Sequence, residues 1–236
     1  MLPVNRIVLQ RIAALALALF WAIPLRAMAA TESRSVAGFD AVVLEVPGEL
    51  QIEHGPSEAL SLEAEPAVLR MITADVHDRR LRIGLAPGRV QTNQPIRMRL
   101  AVRSLRAFES RTAAEVRIDA VQGDAASLAL AGGGAVRVER LNALGLTVRI
   151  AGAGDISIAG GSARTQQVAI TGMGGYAAPA LDCERADVAI DGNGRARLAA
   201  SRQLDVRIGG VGQVRYRGEP VVTQSIRGIG SVEKED

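Results

Sequence analysis

Four arginines stand at one repeated position in the second half of this 236-residue chain. Arg117, Arg137, Arg197 and Arg215 each follow, by five residues, the first glycine of a Gly-x-Gly turn or, for Arg117, its counterpart Thr112. Ser157, Ala177 and Glu233 fill the same position in the other turns. Guanidinium groups aligned in this way could grip sulfate, phosphate or carboxylate groups, because the planar fork donates two parallel hydrogen bonds to an oxyanion. The plainer alternative is a solvated strand face, since Asp119 and Glu139 lie two residues beyond the first pair.

The other residues capable of chemistry form weaker patterns. Asp187 and Asp205 align, each five residues before the first glycine of its turn. Stacked carboxylates can serve as an acid and base pair, but neither has an evident partner base or metal ligand. Asp155 follows Gly152-Ala153-Gly154 as in calcium-binding repeats. Its position holds Ala135, Gly175, Arg195, Gln213 and Ser231 in other turns, which does not supply the several oxygens calcium requires. His54 and His77, the only histidines, sit in no metal-ligand spacing. Gly160-Gly161-Ser162-Ala163-Arg164 lacks the closing glycine of a nucleophile elbow. Cys183 is the only cysteine, so no intramolecular disulfide forms, and a small buried residue is the expected role. No catalytic residue, metal ligand or cofactor site is assigned.

The elements that hold these residues follow from the glycines. They recur in six pairs: Gly132 and Gly134, Gly152 and Gly154, Gly172 and Gly174, Gly192 and Gly194, Gly210 and Gly212, Gly228 and Gly230. The intervals between first glycines are 20, 20, 20, 18 and 18 residues. Such a period marks a solenoid. Each pair separates two alternating strands, such as Val148-Arg149-Ile150 and Ile156-Ser157-Ile158, so all twelve glycines are read as structural turn residues that permit a sharp corner. Phosphate loops need a helix directly afterwards, and strands follow instead. The expected fold is all-β: a right-handed parallel β-helix-like solenoid of about 18–20 residues per turn, over residues 104–232. Its inward ladders are expected to be Leu130, Ile150, Ile170, Ile190, Ile208 and Ile226; Leu128, Val148, Val168, Val188 and Val206; and Val116, Val136, Ile156, Tyr176, Ala196, Val214 and Val232.

Residues 36–103 show no clean echo of the period. They read as a β-rich capping module, with strands at Val42–Val46, Leu50–Glu53, Leu60–Ala64, Arg80–Leu85 and Ile96–Val102, and a short turn followed by a strand across Val68–Val76. Residues 233–236 form a charged tail, which discourages edge pairing.

Residues 1–29 read as a signal peptide: Arg6 and Arg11, an apolar stretch from Ile12 to Leu25, then Ala27-Met28-Ala29 before a cut after Ala29. Residues 30–35 are then a short mature N-terminus. The chain has 28 basic and 25 acidic residues, and Arg6, Arg11 and Arg26 are the only charges of the leader. Subtracting those three from 28 leaves 25 basic against 25 acidic residues, so overall charge gives no case for a nucleic-acid partner. No transmembrane segment is expected after cleavage.

From about Gly38 to Val232 the chain resembles the bacterial exported domain called the putative auto-transporter adhesin head GIN domain. The similarity is carried by Gly38-Phe39-Asp40-Ala41-Val42, Val46-Pro47-Gly48-Glu49-Leu50-Gln51-Ile52, Leu81-Arg82-Ile83, Gly152-Ala153-Gly154-Asp155, Val214-Arg215-Tyr216-Arg217-Gly218-Glu219-Pro220 and Gly228-Ile229-Gly230-Ser231-Val232. The resemblance implies a β-helix-like fold and an exported location, periplasmic or at the cell surface. The expected function is a non-catalytic envelope module for binding or adhesion. It presents a flat strand face to a glycan, a membrane component or a protein. The alternative is a polysaccharide-active β-helix enzyme, a lyase or hydrolase, which would need acids and bases converging on one face.

Overall fold

The computed structural model describes residues 29–88, 92 and 94–235. The expected signal peptide lies outside the described residues except for Ala29. The chain begins with β1 (Ala30–Arg34), β2 (Ala41–Leu44), β3 (Gly48–His54) and β4 (Ala59–Ala64), followed by α1 (Pro66–Leu69). Next come β5 (Ile72–His77), β6 (Arg80–Leu85), β7 (Arg97–Val102) and β8 (Ala107–Ser110). Two long strands, β9 (Ala114–Leu130) and β10 (Gly133–Ile150), lead into β11 (Ala153–Ile158), β12 (Gly161–Ile170), β13 (Met173–Ala178) and β14 (Leu181–Ile190). The final strands are β15 (Asn193–Ala199), β16 (Gln203–Ile208), β17 (Val211–Arg217), β18 (Val221–Ile226) and β19 (Ile229–Lys234). Glu233 and Lys234, expected in the charged tail, therefore complete β19.

From β9 onward every pairing is parallel, and paired residues are 20 or 18 positions apart from one rung to the next. The result is a β-solenoid of about six turns. Each turn gives one strand to a sheet termed A here (the starts of β9 and β10, then β11, β13, β15, β17 and β19) and one to a sheet termed C (the ends of β9, β10, β12 and β14, then β16 and β18). A shorter third side joins them, where Leu141 pairs with Val121 and Gly161, and Ala163 with Cys183.

The three inward ladders form in the expected register. Leu130, Ile150, Ile170, Ile190 and Ile208 are buried, as are Leu128 through Val206 and Val116 through Val214. Ile226 is exposed and Val232 half-buried, since among the described residues β18 and β19 have a neighbouring rung on one side only. Buried aliphatic contacts between successive rungs supply the driving force, since a single turn covers little of its own apolar surface. Tyr176 breaks the aliphatic rule of its ladder. Its hydroxyl donates to Gln166 Oε1 at 2.9 Å, and Gln166 Nε2 donates to the Ala199 carbonyl at 2.9 Å. Burial pushes the Tyr176 phenol well above its ordinary range. This small polar network is therefore neutral and fully enclosed.

The structure corrects the reading of all twelve glycines as turn residues. The first of each pair (Gly132, Gly152, Gly172, Gly192, Gly210 and Gly228) lies between strands, at the corner itself. The second of each pair (Gly134, Gly154, Gly174, Gly194, Gly212 and Gly230) is already the second residue of a sheet A strand. Strand pairing therefore starts before the second glycine, which was expected to complete the turn.

Closeness, more than a left-handed backbone, selects glycine at both places. Of the twelve, only Gly134 has a positive φ, 87°. A Cβ built on Gly152 would lie 1.8 Å from the Gly132 carbonyl oxygen, and one on Gly172 would lie 2.1 Å from that of Gly152. Successive corners stack backbone on backbone, which leaves no room for a side chain. The second glycines face inward, in step with the buried residue two positions later. A Cβ on Gly174 would lie 2.0 Å from the Gly154 carbonyl oxygen. One on Gly194 would lie 2.7 Å from Ile170 Cγ2, and one on Gly212 would lie 3.1 Å from Ile190 Cδ1. From Gly154 to Gly230 the Leu130–Ile208 ladder of sheet C thus lies against the start of each sheet A strand.

The strands of residues 36–103 extend the same two sheets and share one continuous core with the solenoid. β3 pairs with the start of β9 in sheet A, and β7 pairs in parallel with β3. β2 lies between β6 and β8 in sheet C. Gly48 therefore occupies the position of Ala114 and Gly134. Spatial and chain order diverge here: β2 and β3 form a rung, the chain leaves to build β4 through β7, and it returns past that rung to β8. β4 and β1 run antiparallel at the end of sheet A, and β5 runs antiparallel to β6 at the end of sheet C. Ala30–Arg34, expected as a short N-terminal segment, is thus an edge strand.

Candidate functional site

The outer face of sheet A carries the arginine row. Pairing places Arg99, Gln51, Arg117, Arg137, Ser157, Ala177, Arg197, Arg215 and Glu233 on consecutive rungs. The four expected arginines share one exposed line in two pairs. Within a pair the strands are about 4.8 Å apart, and the three rung steps from Arg137 to Arg197 span about 14 Å. Arg99 joins the row from β7. The sequence offered no periodic signal for it, because β7 reaches sheet A through the rearranged early rungs.

The two pairs differ electrostatically. Arg99, Arg117 and Arg137 make no ion pair or hydrogen bond among the described residues. They line a groove of about 570 Å³ together with Glu115, Asp155 and Ser157. Glu115 and Asp119 stand on either side of Arg117 on its own strand, and Glu139 stands beside Arg137. The groove thus offers guanidinium donors flanked by carboxylate acceptors. The second pair is engaged: Arg197 Nε donates to a Glu235 carboxylate oxygen at 2.6 Å, and Arg215 Nε is 4.0 Å from Glu233. Arg217 Nε is 3.5 Å from Glu235. The Arg197 hydrogen bond and the charges of Arg197, Arg217 and Arg215 hold the Glu235 carboxyl below its ordinary range.

Asp187 and Asp205 are paired across β14 and β16, on the outer face of the other sheet. Arg207 holds Asp187 at 2.7 Å, and Gln203 donates to Asp205 at 2.7 Å. Asp155 is opposite Ala135 and Gly175, with no second carboxylate on the neighbouring rungs of its row. Among the described residues no three His, Cys, Asp or Glu side chains converge in a way that could hold a metal ion. His54 and His77 lie apart at the ends of β3 and β5. Cys183 is a buried free thiol on the short third side, pushed up in pKa by burial.

Asp40 and Glu45, at the two ends of β2, carry charge that the sequence reading did not assign. Asp40 accepts from Arg79 at 2.7 Å and lies 3.0 Å from Arg106 Nε. Glu45 accepts from Arg82 at 2.7 Å and Arg111 at 3.0 Å. Asp40 belongs to the Gly38-Phe39-Asp40 segment, and its contacts show that part of that motif is structural.

The family profile described as "Putative auto-transporter adhesin, head GIN domain" matches residues 38–220. The chain belongs to this family. Solved structures agree on the fold. A putative adhesin from Bacteroides fragilis NCTC 9343 superposes with a TM-score of 0.82 at 20% identity, covering 88% of this chain and 97% of that one. A putative adhesin from Parabacteroides distasonis ATCC 8503 gives 0.73 at 20% identity over 89% and 98%. A protein from the same strain, described as a putative lipid binding protein, gives 0.64 at 17% identity over 89% and 98%. No curated protein matches the sequence. Among the described residues no helix is long and apolar enough to cross a membrane.

Proposed function

We propose that this chain is an exported, non-catalytic adhesion-type module that binds an acidic glycan of the cell envelope on the outer face of sheet A. One observation carries the reading: Arg117 and Arg137 stand side by side in an open groove with no partner among the described residues. Unpaired guanidinium groups supply the donors an oxyanion needs. The flanking Glu115, Asp119 and Glu139 favour a glycan over a dense polyanion such as nucleic acid. Carboxylates accept hydrogen bonds from sugar hydroxyls, and they repel closely spaced phosphates. Family membership supports an adhesion-type role.

The export part rests on the leader pattern of residues 1–29. Cleavage after Ala29 would leave β1 whole, since that strand starts at Ala30. Recovery of tagged protein in the periplasm or at the cell surface is expected, and recovery in the cytoplasm would refute export.

The binding part is tested by replacing Arg117, Arg137, Arg197 and Arg215 with Gln and measuring retention on immobilised acidic polysaccharides. Retention should fall, and retention on the neutral polysaccharide control should not change. Equal retention of variant and native protein on the acidic polymers would remove the proposal. The enzyme alternative has less support. Asp187 and Asp205 are both engaged by neighbours and lie on a different sheet from the groove.

A further inference from the structure

The distal end of sheet A concentrates positive charge. β15 and β17 bring Arg195, Arg197, Arg215 and Arg217 onto two adjacent rungs. Glu233 and Glu235 face them from β19 and the residue after it. Asp155 lines the same groove as Arg195, Arg197 and Arg215, so four guanidinium groups stand against three carboxylates. Glu235 sits deepest: its side chain is 24% exposed, and it touches Arg197 at 2.6 Å and Arg217 at 3.5 Å. The Arg217 Nε that faces Glu235 is screened from solvent and makes an ion pair there without a hydrogen bond. A second groove, of about 280 Å³, is lined by Asp155, Ser157, Arg195, Arg197 and Arg215. Residues 233–235 lie beyond the family match at residues 38–220.

We propose that Arg197, Arg215 and Arg217 form a carboxylate-binding subsite for a uronate-bearing glycan, and that Glu235 occupies it as an internal competitor. This deepens the reading of sheet A as a glycan face and rests on it. The chemistry is set by the occupant. A carboxylate held between guanidinium groups shows that the site accepts that group in size and charge. A polysaccharide is favoured over an acidic peptide strand because the groove is open along the outer face, where sheet hydrogen bonds are unavailable to a partner. Small side chains at Ser157, Ala177 and Gly175 leave a low floor between this subsite and Arg137, so one extended chain can reach both.

The test is the affinity of wild type and Glu235→Gln for oligogalacturonate, with an uncharged galactan oligomer as control. Removing the competitor should raise affinity by up to about fivefold, the scale set by one exposed ion pair. Adding Arg197→Gln to Glu235→Gln should cancel the gain. An unchanged or lower affinity for Glu235→Gln, with native melting behaviour, overturns the competitor proposal. If the variant melts lower, the native chain decides. Oligogalacturonate must then shift the Glu235 carboxyl carbon resonance, and an unmoved resonance overturns the proposal. Loss of binding in Arg117→Gln/Arg137→Gln without any gain in Glu235→Gln would leave the glycan face standing and remove only this subsite.

Discussion

Asp40 and Glu45 stand at opposite ends of β2, and each carboxylate clasps one arginine from either side of that strand. Asp40 holds Arg79 and Arg106; Glu45 holds Arg82 and Arg111. Arg79 precedes β6 and Arg82 lies in it, while Arg106 and Arg111 flank β8. The rung that departs from chain order is therefore locked at both ends by charge as well as by strand pairing.

This arrangement sets an acid limit on stability. Burial alone would raise the Asp40 pKa, but Arg79 and Arg106 outweigh it and lower the carboxyl below 3.8. Arg82, opposed by burial and helped by Arg111, lowers Glu45 below 4.5. Groups with depressed folded-state pKa values stabilise the fold above their unfolded values and lose that contribution as pH falls through the folded ones. Melting temperature should thus be level near neutrality and drop below about pH 4. In Asp40→Asn the drop should shrink, and stability at pH 7 should fall by about 2 kcal/mol. A variant as stable as wild type at pH 7 would contradict the clasp.

Stacked glycine corners predict a sharp contrast between two substitutions. Gly152→Ala must push a methyl against the Gly132 carbonyl, whereas a Cβ on Gly160 meets nothing closer than the Ala180 carbonyl at 3.7 Å. Overpacking of this kind costs about 1–3 kcal/mol or more, so Gly152→Ala should lower the denaturation midpoint clearly. Gly160→Ala should stay within about 0.5 kcal/mol of wild type. Equal midpoints would show that the corners are not set by close approach.

Tyr176 and Gln166 predict a buried polar cost. Tyr176→Phe leaves Gln166 Oε1 without its donor inside the solenoid, which should cost about 1–3 kcal/mol in chemical denaturation. A neutral substitution would mean that the amide finds another partner.

The sequence shows the repeats more readily than the early rungs. From Leu128 onward an unbroken 20- or 18-residue period fixes which residues stack, and the Arg117–Arg215 row follows from it. The two glycines of each pair look alike in the sequence, yet Gly172 turns a corner while Gly174 lies in a strand. Only the packing of the isoleucine ladder against Gly194 and Gly212 distinguishes their roles. Gly48-Glu49-Leu50-Gln51-Ile52 matches Ala114-Glu115-Val116-Arg117-Ile118 residue for residue in sheet A. The offset of 66 positions between their starts conceals that equivalence, because β4 through β8 are built in the interval. Arg99 escaped notice for the same reason. The partners of Arg197 and Arg215 were hidden differently. Periodicity places Glu233 on the row, but only the side-chain geometry shows Glu235 reaching two rungs back to Arg197. The tyrosine in an aliphatic ladder was visible, whereas its buried partner Gln166 depends on the fold of the short third side.

The most direct measurement follows the arginine side chains themselves. In a titration of labelled wild-type protein with an acidic oligosaccharide, the Nε–Hε resonances of Arg117 and Arg137 should shift saturably. Those of Arg149 and Arg207, on the outer face of sheet C, should remain in place. Shifts confined to Arg149 and Arg207, or binding that leaves Arg117 and Arg137 unmoved, would contradict the assignment of sheet A as the binding face.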